Sequence, residues 1–284
     1  MMLVERRFDT GEVELNYAEG PDNGPPILLI HGITGNWRSF LPIMPSITMR
    51  WHVYAVDLRG HGKSGHKTGC YTLRDYERDI NTFIDEVINQ PTILLGHSLG
   101  GMIATMHAAD NPNIKAVIIG DSPPNYDNSL GRDINKRMSY WVQAQEAARS
   151  GKTVNEMLQI LNEKKIMWGD VPIEDPLLLR SMATNWSRMD PDILSKMIEG
   201  EEAREELFGG YDTARLFPKL RCPVLLLRGN PELGGAIKDS EVGKALKLIP
   251  DLTYVYLHDI GHALFPFGAE PVLSKITVFL ESLR

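Results

Sequence analysis

The chain has 284 residues, 43% hydrophobic and 24% charged, which predicts one large α/β domain or one domain carrying an insertion. Its net charge of −7 argues against nucleic acid or an anionic membrane surface as the main partner, since both attract cations. Met1 to Arg7 lacks the apolar core of a secretory signal, and no stretch approaches the ~20 apolar residues that span a bilayer.

In chain order, Val4 to Phe8 and Val13 to Ala18 alternate as two strands joined at Thr10-Gly11. A turn cluster from Gly20 to Pro26 leads into Ile27-Leu28-Leu29-Ile30, a continuous apolar run expected of a strand covered on both faces. It delivers the loop His31-Gly32-Ile33-Thr34-Gly35. Trp37 to Met44 reads as a short helix kept irregular by Pro42 and Pro45, and Trp51 to Val56 as the next strand. Asp57 to Ser64 follows as a compact turn. Its Gly62-Lys63-Ser64 ending has the wrong glycine spacing for a phosphate loop. Leu73 to Ile88 has helical periodicity, with Tyr76, Ile80, Phe83, Ile84, Val87 and Ile88 on its apolar side.

The most informative stretch is Thr92 to Ala109. Thr92 to Leu95 reads as a buried strand, Met102 to Ala109 as a helix, and between them stands Gly96-His97-Ser98-Leu99-Gly100-Gly101. A serine on so tight a turn has strained backbone angles, and only glycine fits two positions before and after it. The strain exposes the hydroxyl at a helix N-terminus, where developing negative charge is favoured. Ile114 to Gly120 is then another buried strand, ending at Asp121.

From Tyr126 to Tyr211 helical patterning dominates and no strand-like run is visible. Breaks fall at Gly131, Ser150-Gly151, Gly169 to Pro172, Pro176 and Pro191. Trp141, Trp168, Trp186 and half of the chain's methionines lie here. Most of these read as core between helices, with one or two lining an apolar pocket. The α/β pattern resumes with strand Val224 to Leu227, then strand Thr253 to Leu257 and helix Pro271 to Leu283. Cys70 and Cys222 are far apart without metal-ligand spacing, which predicts two reduced thiols in the cytoplasm. No residue cluster reads as a metal or cofactor site.

His31-Gly32, Asp57 to Ser64, Gly96 to Gly101 and Gly261-His262 together resemble the α/β-hydrolase fold superfamily in order and spacing, nearly end to end. The resemblance implies a mostly parallel central β-sheet flanked by helices. It divides the chain into a core, 1–123 and 214–284, and an α-helical cap, 124–213. It is specific for a serine nucleophile and unspecific for substrate. Dehalogenases and epoxide hydrolases of this fold use an aspartate where this chain has Ser98.

A serine hydroxyl needs a base within hydrogen-bond reach. Of the eight histidines, His97 adjoins the nucleophile and its side chain is expected to point away, and His31 and His61 sit in backbone turns. His52, His66 and His107 have no motif context. His262 follows the last strand, in Asp259-Ile260-Gly261-His262-Ala263, and the order serine, acid, histidine makes it the base. For the acid, family members commonly carry an aspartate three residues beyond the glycine of Arg228-Gly229, and Glu232 holds that place. Asp121 is its rival, and Asp239 and Asp259 are weaker candidates. The oxyanion donors are the backbone N–H of Leu99, directly after the nucleophile, and by resemblance that of Ile33.

The sequence thus points to a carboxylic ester hydrolase of the serine esterase or lactonase type. It is expected to work through an acyl-serine on a small to medium, largely apolar ester, lactone or thioester, without cofactor, metal, nucleic acid or membrane. A non-catalytic small-molecule receptor and a lyase on the same fold are the alternatives.

Overall fold

A computed structural model describes residues 3–123, 131–168 and 170–283. The strands, in chain order, are β1 (Val4–Asp9), β2 (Glu14–Glu19), β3 (Pro26–Ile30), β4 (His52–Val56), β5 (Thr92–His97) and β6 (Ile114–Gly120). They are followed by β7 (Ile166–Trp168), β8 (Val171–Ile173), β9 (Val224–Gly229) and β10 (Leu252–Leu257). Eight of them form one sheet in the order β1-β2-β4-β3-β5-β6-β9-β10. From β4 to β10 every neighbouring pair is parallel, and β2 alone runs against the rest, pairing antiparallel with both β1 and β4 near one edge.

The apolar runs of β3 and β5 are continuous because helices cover both faces of the sheet. Leu28, Ile30 and Leu94 join one core cluster, while Ile27, Leu29, Ile93 and Leu95 join the other, as the two-residue period of a strand dictates. Helices α1 (Met44–Ile47), α2 (Leu73–Phe83) and α3 (Leu99–Asp110) precede β6 in the chain. Residues of α2 and α3 fill the first cluster and those of α1 the second. A capping box between Thr72 and Asp75 starts α2, satisfying donors that would otherwise be orphaned.

After β6 the chain leaves the sheet and returns at β9. The elements between are α4 (Gly131–Arg149), α5 (Val154–Glu163), α6 (Pro176–Trp186), α7 (Ser195–Glu199), α8 (Glu201–Phe208) and α9 (Thr213–Leu216). The expectation that this stretch holds no strand is corrected here. β7 and β8 form an antiparallel ribbon in which Met167 faces Pro172 and Trp168 faces Val171. Three-residue strands carry no readable alternation. A proline is tolerated in a ribbon whose outer edge is unpaired. Beyond β9, α10 (Asp239–Leu248) joins the first core cluster and α11 (Leu264–Ser282) the second. The last helix starts at Leu264 and runs through Pro271, earlier than the proline suggests. No helix among the described residues is long and apolar enough to cross a membrane.

Candidate active site

Strand register builds the site. His97 at the end of β5 pairs with Gly120 at the end of β6, and Gly120 pairs with Leu227 in β9. Ser98 and Asp121 therefore leave the sheet from adjacent strand ends, where ligands bind in open α/β sheets. Ser98 N–H donates to the Gly120 carbonyl at 2.9 Å, and Asp121 N–H to that of Leu227 at 2.7 Å. Ser98 has φ 53° and ψ −117°, and Asp121 has φ 42°. Left-handed conformations of this kind cost roughly 1–3 kcal/mol each. The elbow glycines are dictated by contact: a Cβ on Gly96 would lie 2.1 Å from the Gly100 carbonyl oxygen, and one on Gly100 2.0 Å from that of Ile30. The Ser122 hydroxyl donates to the Ser98 carbonyl and braces the turn.

His262 meets both groups. Its Nε2 lies 3.1 Å from Ser98 Oγ and its Nδ1 2.7 Å from Asp121 Oδ2. Asp121 is fully buried and accepts two further bonds, from Gly229 N–H at 3.0 Å and Ala236 N–H at 2.8 Å. Burial pushes its carboxyl up, but the His262 hydrogen bond and charge and the two backbone donors outweigh it, and the net shift is down. An ionised Asp121 fixes the proton on His262 Nδ1 and leaves the Nε2 lone pair to Ser98.

The carboxylate bonded to His262 is thus Asp121 and not Glu232. Glu232 sits exposed in a 3₁₀ turn, Pro231–Leu233, with its N–H on Asn230 Oδ1, and its carboxylate has no polar partner among the described residues. The turn tightens directly after β9 and directs Glu232 outward. Its flanking N–H groups, of Gly229 and Ala236, clamp Asp121 instead. Of the weaker candidates, Asp239 pairs with Arg228 at 2.6 Å, and Asp259 lines the cavity from an exposed position.

The remaining histidines near the site are scaffold. His97 does not point away: its Nε2 donates to the His262 carbonyl at 2.8 Å, fixing the loop that carries His262. Burial and the neighbouring His262 hold His97 down to about 4. His31 Nε2 accepts the Leu58 N–H at 3.0 Å, so its proton is on Nδ1, which donates to the Gly32 carbonyl at 2.8 Å. His61 Nδ1 bonds the Arg59 carbonyl at 2.9 Å. Arg59 itself is fully buried, its guanidinium held by both oxygens of Asp79 at 2.6 Å. Neither the Ile33 nor the Leu99 N–H has a hydrogen-bond acceptor among the described residues, and Ile33 lines the cavity in front of Ser98.

That cavity has a volume of about 500 Å³. Its floor is Gly32, His97, Ser98 and His262, and its far wall comes from the segment between β6 and β9: Tyr140, Trp168, Val171, Ile173, Leu178 and Met182. Of the three tryptophans of that segment, Trp168 lines the cavity, while Trp141 and Trp186 are buried in core. Among the described residues Met182 is the methionine that lines it, and it also packs in the first cluster with Met157, Met189 and Met197. Sequence reasoning missed Ser122 and the ribbon carrying Trp168. Ser122 follows Asp121 directly, and that adjacency was its only signal.

Comparison with known proteins agrees with this fold. A relative from Mesorhizobium japonicum, named 2-(acetamidomethylene)succinate hydrolase, is 29% identical over 99% of this chain and 96% of its own length. Among solved structures, the enol-lactonase from Burkholderia xenovorans LB400 superposes with TM-score 0.73 at 18% identity, covering 97% of this chain and all of that one. Carboxylesterase CesB from Bacillus subtilis gives TM-score 0.70 at 17% identity, covering 99% of this chain and 92% of the other. At such identities these two likenesses establish the fold alone. Residues 25–269 match the family model described as alpha/beta hydrolase fold, and the chain belongs to that family.

Proposed function

We propose that this chain is a serine hydrolase that cleaves a carboxylic ester, lactone or thioester through an acyl-Ser98 intermediate. The observation that carries the proposal is the unbroken chain of contacts from Ser98 Oγ to His262 (3.1 Å) to Asp121 (2.7 Å) at the floor of the cavity. Ser98 Oγ attacks the substrate carbonyl as its proton passes to His262 Nε2. The oxygen that becomes anionic is received by the N–H groups of Ile33 and Leu99. Collapse of the tetrahedral intermediate expels the leaving group, which takes the proton from His262. Water then attacks the acyl-enzyme, with His262 as base, and frees Ser98. In this reading residues 124–213 act as a cap that closes the cavity, and its apolar wall and volume suit a small to medium acyl group.

A second reading extends the same chemistry to amides. The Mesorhizobium relative is named for an acetamido-substituted succinate, and an acyl-serine forms from an amide by the same steps.

The test is hydrolysis of a p-nitrophenyl ester series from acetate to dodecanoate, beside lactone and N-acetyl enamine panels, by wild type and Ser98→Ala. Turnover by wild type and a loss of about 10⁴-fold or more in the variant is expected. An inert wild type on every ester, lactone and amide overturns the proposal and turns attention to ligand binding and lyase activity.

A further inference from the structure

The structure places a second ring on the base. Trp168, the last residue of β7, stacks on His262 with ring centroids 5.0 Å apart and planes 10° from parallel. The indole is itself fixed: its Nε1 donates to the Gly234 carbonyl at 2.9 Å, and Tyr140 packs edge-on against it at 5.0 Å. The Tyr140 hydroxyl lies 3.1 Å from Thr34 Oγ1, so the same aromatic group reaches the loop of Ile33. Gly234 belongs to the turn whose neighbours Gly229 and Ala236 clamp Asp121. One turn after β9 thus holds both the acid and the indole.

We infer that Trp168 is a positioning residue for His262, whose indole face fixes the plane of the imidazole and stabilises its protonated form. The inference rests on the reading of His262 as the base. An aromatic face attracts a cation through its quadrupole, and the effect grows when water is excluded. In the reaction His262 must become imidazolium twice, and the face of Trp168 is offered to it in that state. The other titratable or charged groups at or around His262 are Asp121 and His97 in contact with it, and Asp259, Glu174 and Asp175 along the same cavity. None of these is changed by a substitution at Trp168, so a shift in His262 reports the ring.

The experiment is an NMR pH titration of the His262 imidazole in wild type, Trp168→Leu and Trp168→Phe, beside pH profiles of kcat and KM. Leucine keeps apolar cover over the histidine and removes the π-face. Trp168→Leu is expected to lower the His262 midpoint by about half to one pH unit, to move the acid limb of kcat/KM with it, and to reduce kcat by about ten- to a hundredfold with KM little changed. Trp168→Phe is expected to keep the midpoint near wild type and to restore most of kcat. Trp168→Met, which also keeps apolar cover without a π-face and leaves the turn that clamps Asp121 untouched, should shift the midpoint the same way as leucine, even if Trp168→Leu does not fold. A midpoint unmoved or raised in Trp168→Leu, or a fall as large in Trp168→Phe as in Trp168→Leu, overturns the inference. The titration needs no turnover: a shifted His262 in a protein inert to every substrate leaves the stacking in place and removes only the hydrolase reading.

Discussion

Asp121 and Glu232 show how far a single residue can be read from sequence. The position of Glu232 three residues beyond a glycine is a family regularity of chain order, whereas the partner of His262 is chosen by which strand end lies beside that imidazole. Register sets Asp121 there, with φ 42° turning its carboxylate toward His262, and no local pattern around Asp121 encodes that. Asp121→Asn would present an NH₂ group to Nδ1 and impose the wrong tautomer. A fall of about 10³–10⁴-fold in kcat/KM is expected, with circular dichroism showing a folded protein. Glu232→Gln should leave kcat/KM within about twofold, because an exposed loop carboxylate without a polar partner contributes little. Should the two variants exchange these effects, the assignment of the acid is reversed.

Among the elements, the nucleophile turn was legible because its constraint is local and steric. A serine at φ 53° leaves no room for Cβ atoms two residues away, and glycine in both places announces the turn by itself. Gly100→Ala would set a methyl 2.0 Å from the Ile30 carbonyl, at the end of the central strand that leads to His31 and Ile33. Backbone cannot swing aside as a long side chain can. A loss of at least about 1–3 kcal/mol in urea denaturation is expected, together with most of the activity, since strand β3 and the Ile33 loop must move as one. Unchanged stability in Gly100→Ala would mean that the elbow is looser than these contacts require. The β7–β8 ribbon is the opposite case. Its six paired residues are too few to form alone, and tertiary contacts such as the Trp168 bond to Gly234 hold it. Such an element leaves no periodicity to read.

At the scale of the whole molecule, the doubly covered sheet was legible from its apolar runs, and so was the return of the chain at Val224 after a helical excursion. What the runs could not convey is how much polar structure the strand ends bury with them. His31 and His61 are both fully buried, with ring centroids 5.0 Å apart. Burial holds His31 down to about 4, and burial together with His31 holds His61 down to about 3. Both folded values lie below the ~6.5 of an exposed imidazole, so on acidification the unfolded chain takes up these protons first. Their stabilising contribution is complete above pH ~6.5 and is lost as pH falls from there toward the folded values, at ~1.4 kcal/mol per pH unit for each. Between pH 7 and pH 5 the pair should cost on the order of a few kcal/mol, and His97, held down to about 4, adds to the loss in the same direction. Asp121 acts elsewhere on the scale. Its lowered carboxyl stabilises the fold above the unfolded value near ~3.9 and is lost only as pH drops through the folded one, outside this window. Protonation of His31 would also turn Nε2 from the acceptor of the Leu58 N–H into a donor facing a donor, so the fold cannot simply absorb the charge. Urea midpoints measured at pH 7, 6 and 5 should therefore fall steadily, with the slope of each transition unchanged. A midpoint constant across that range would show that these imidazoles, His97 with them, accept protons inside the folded protein, and that the loops after β3 and β4 open enough to solvate His31 and His61.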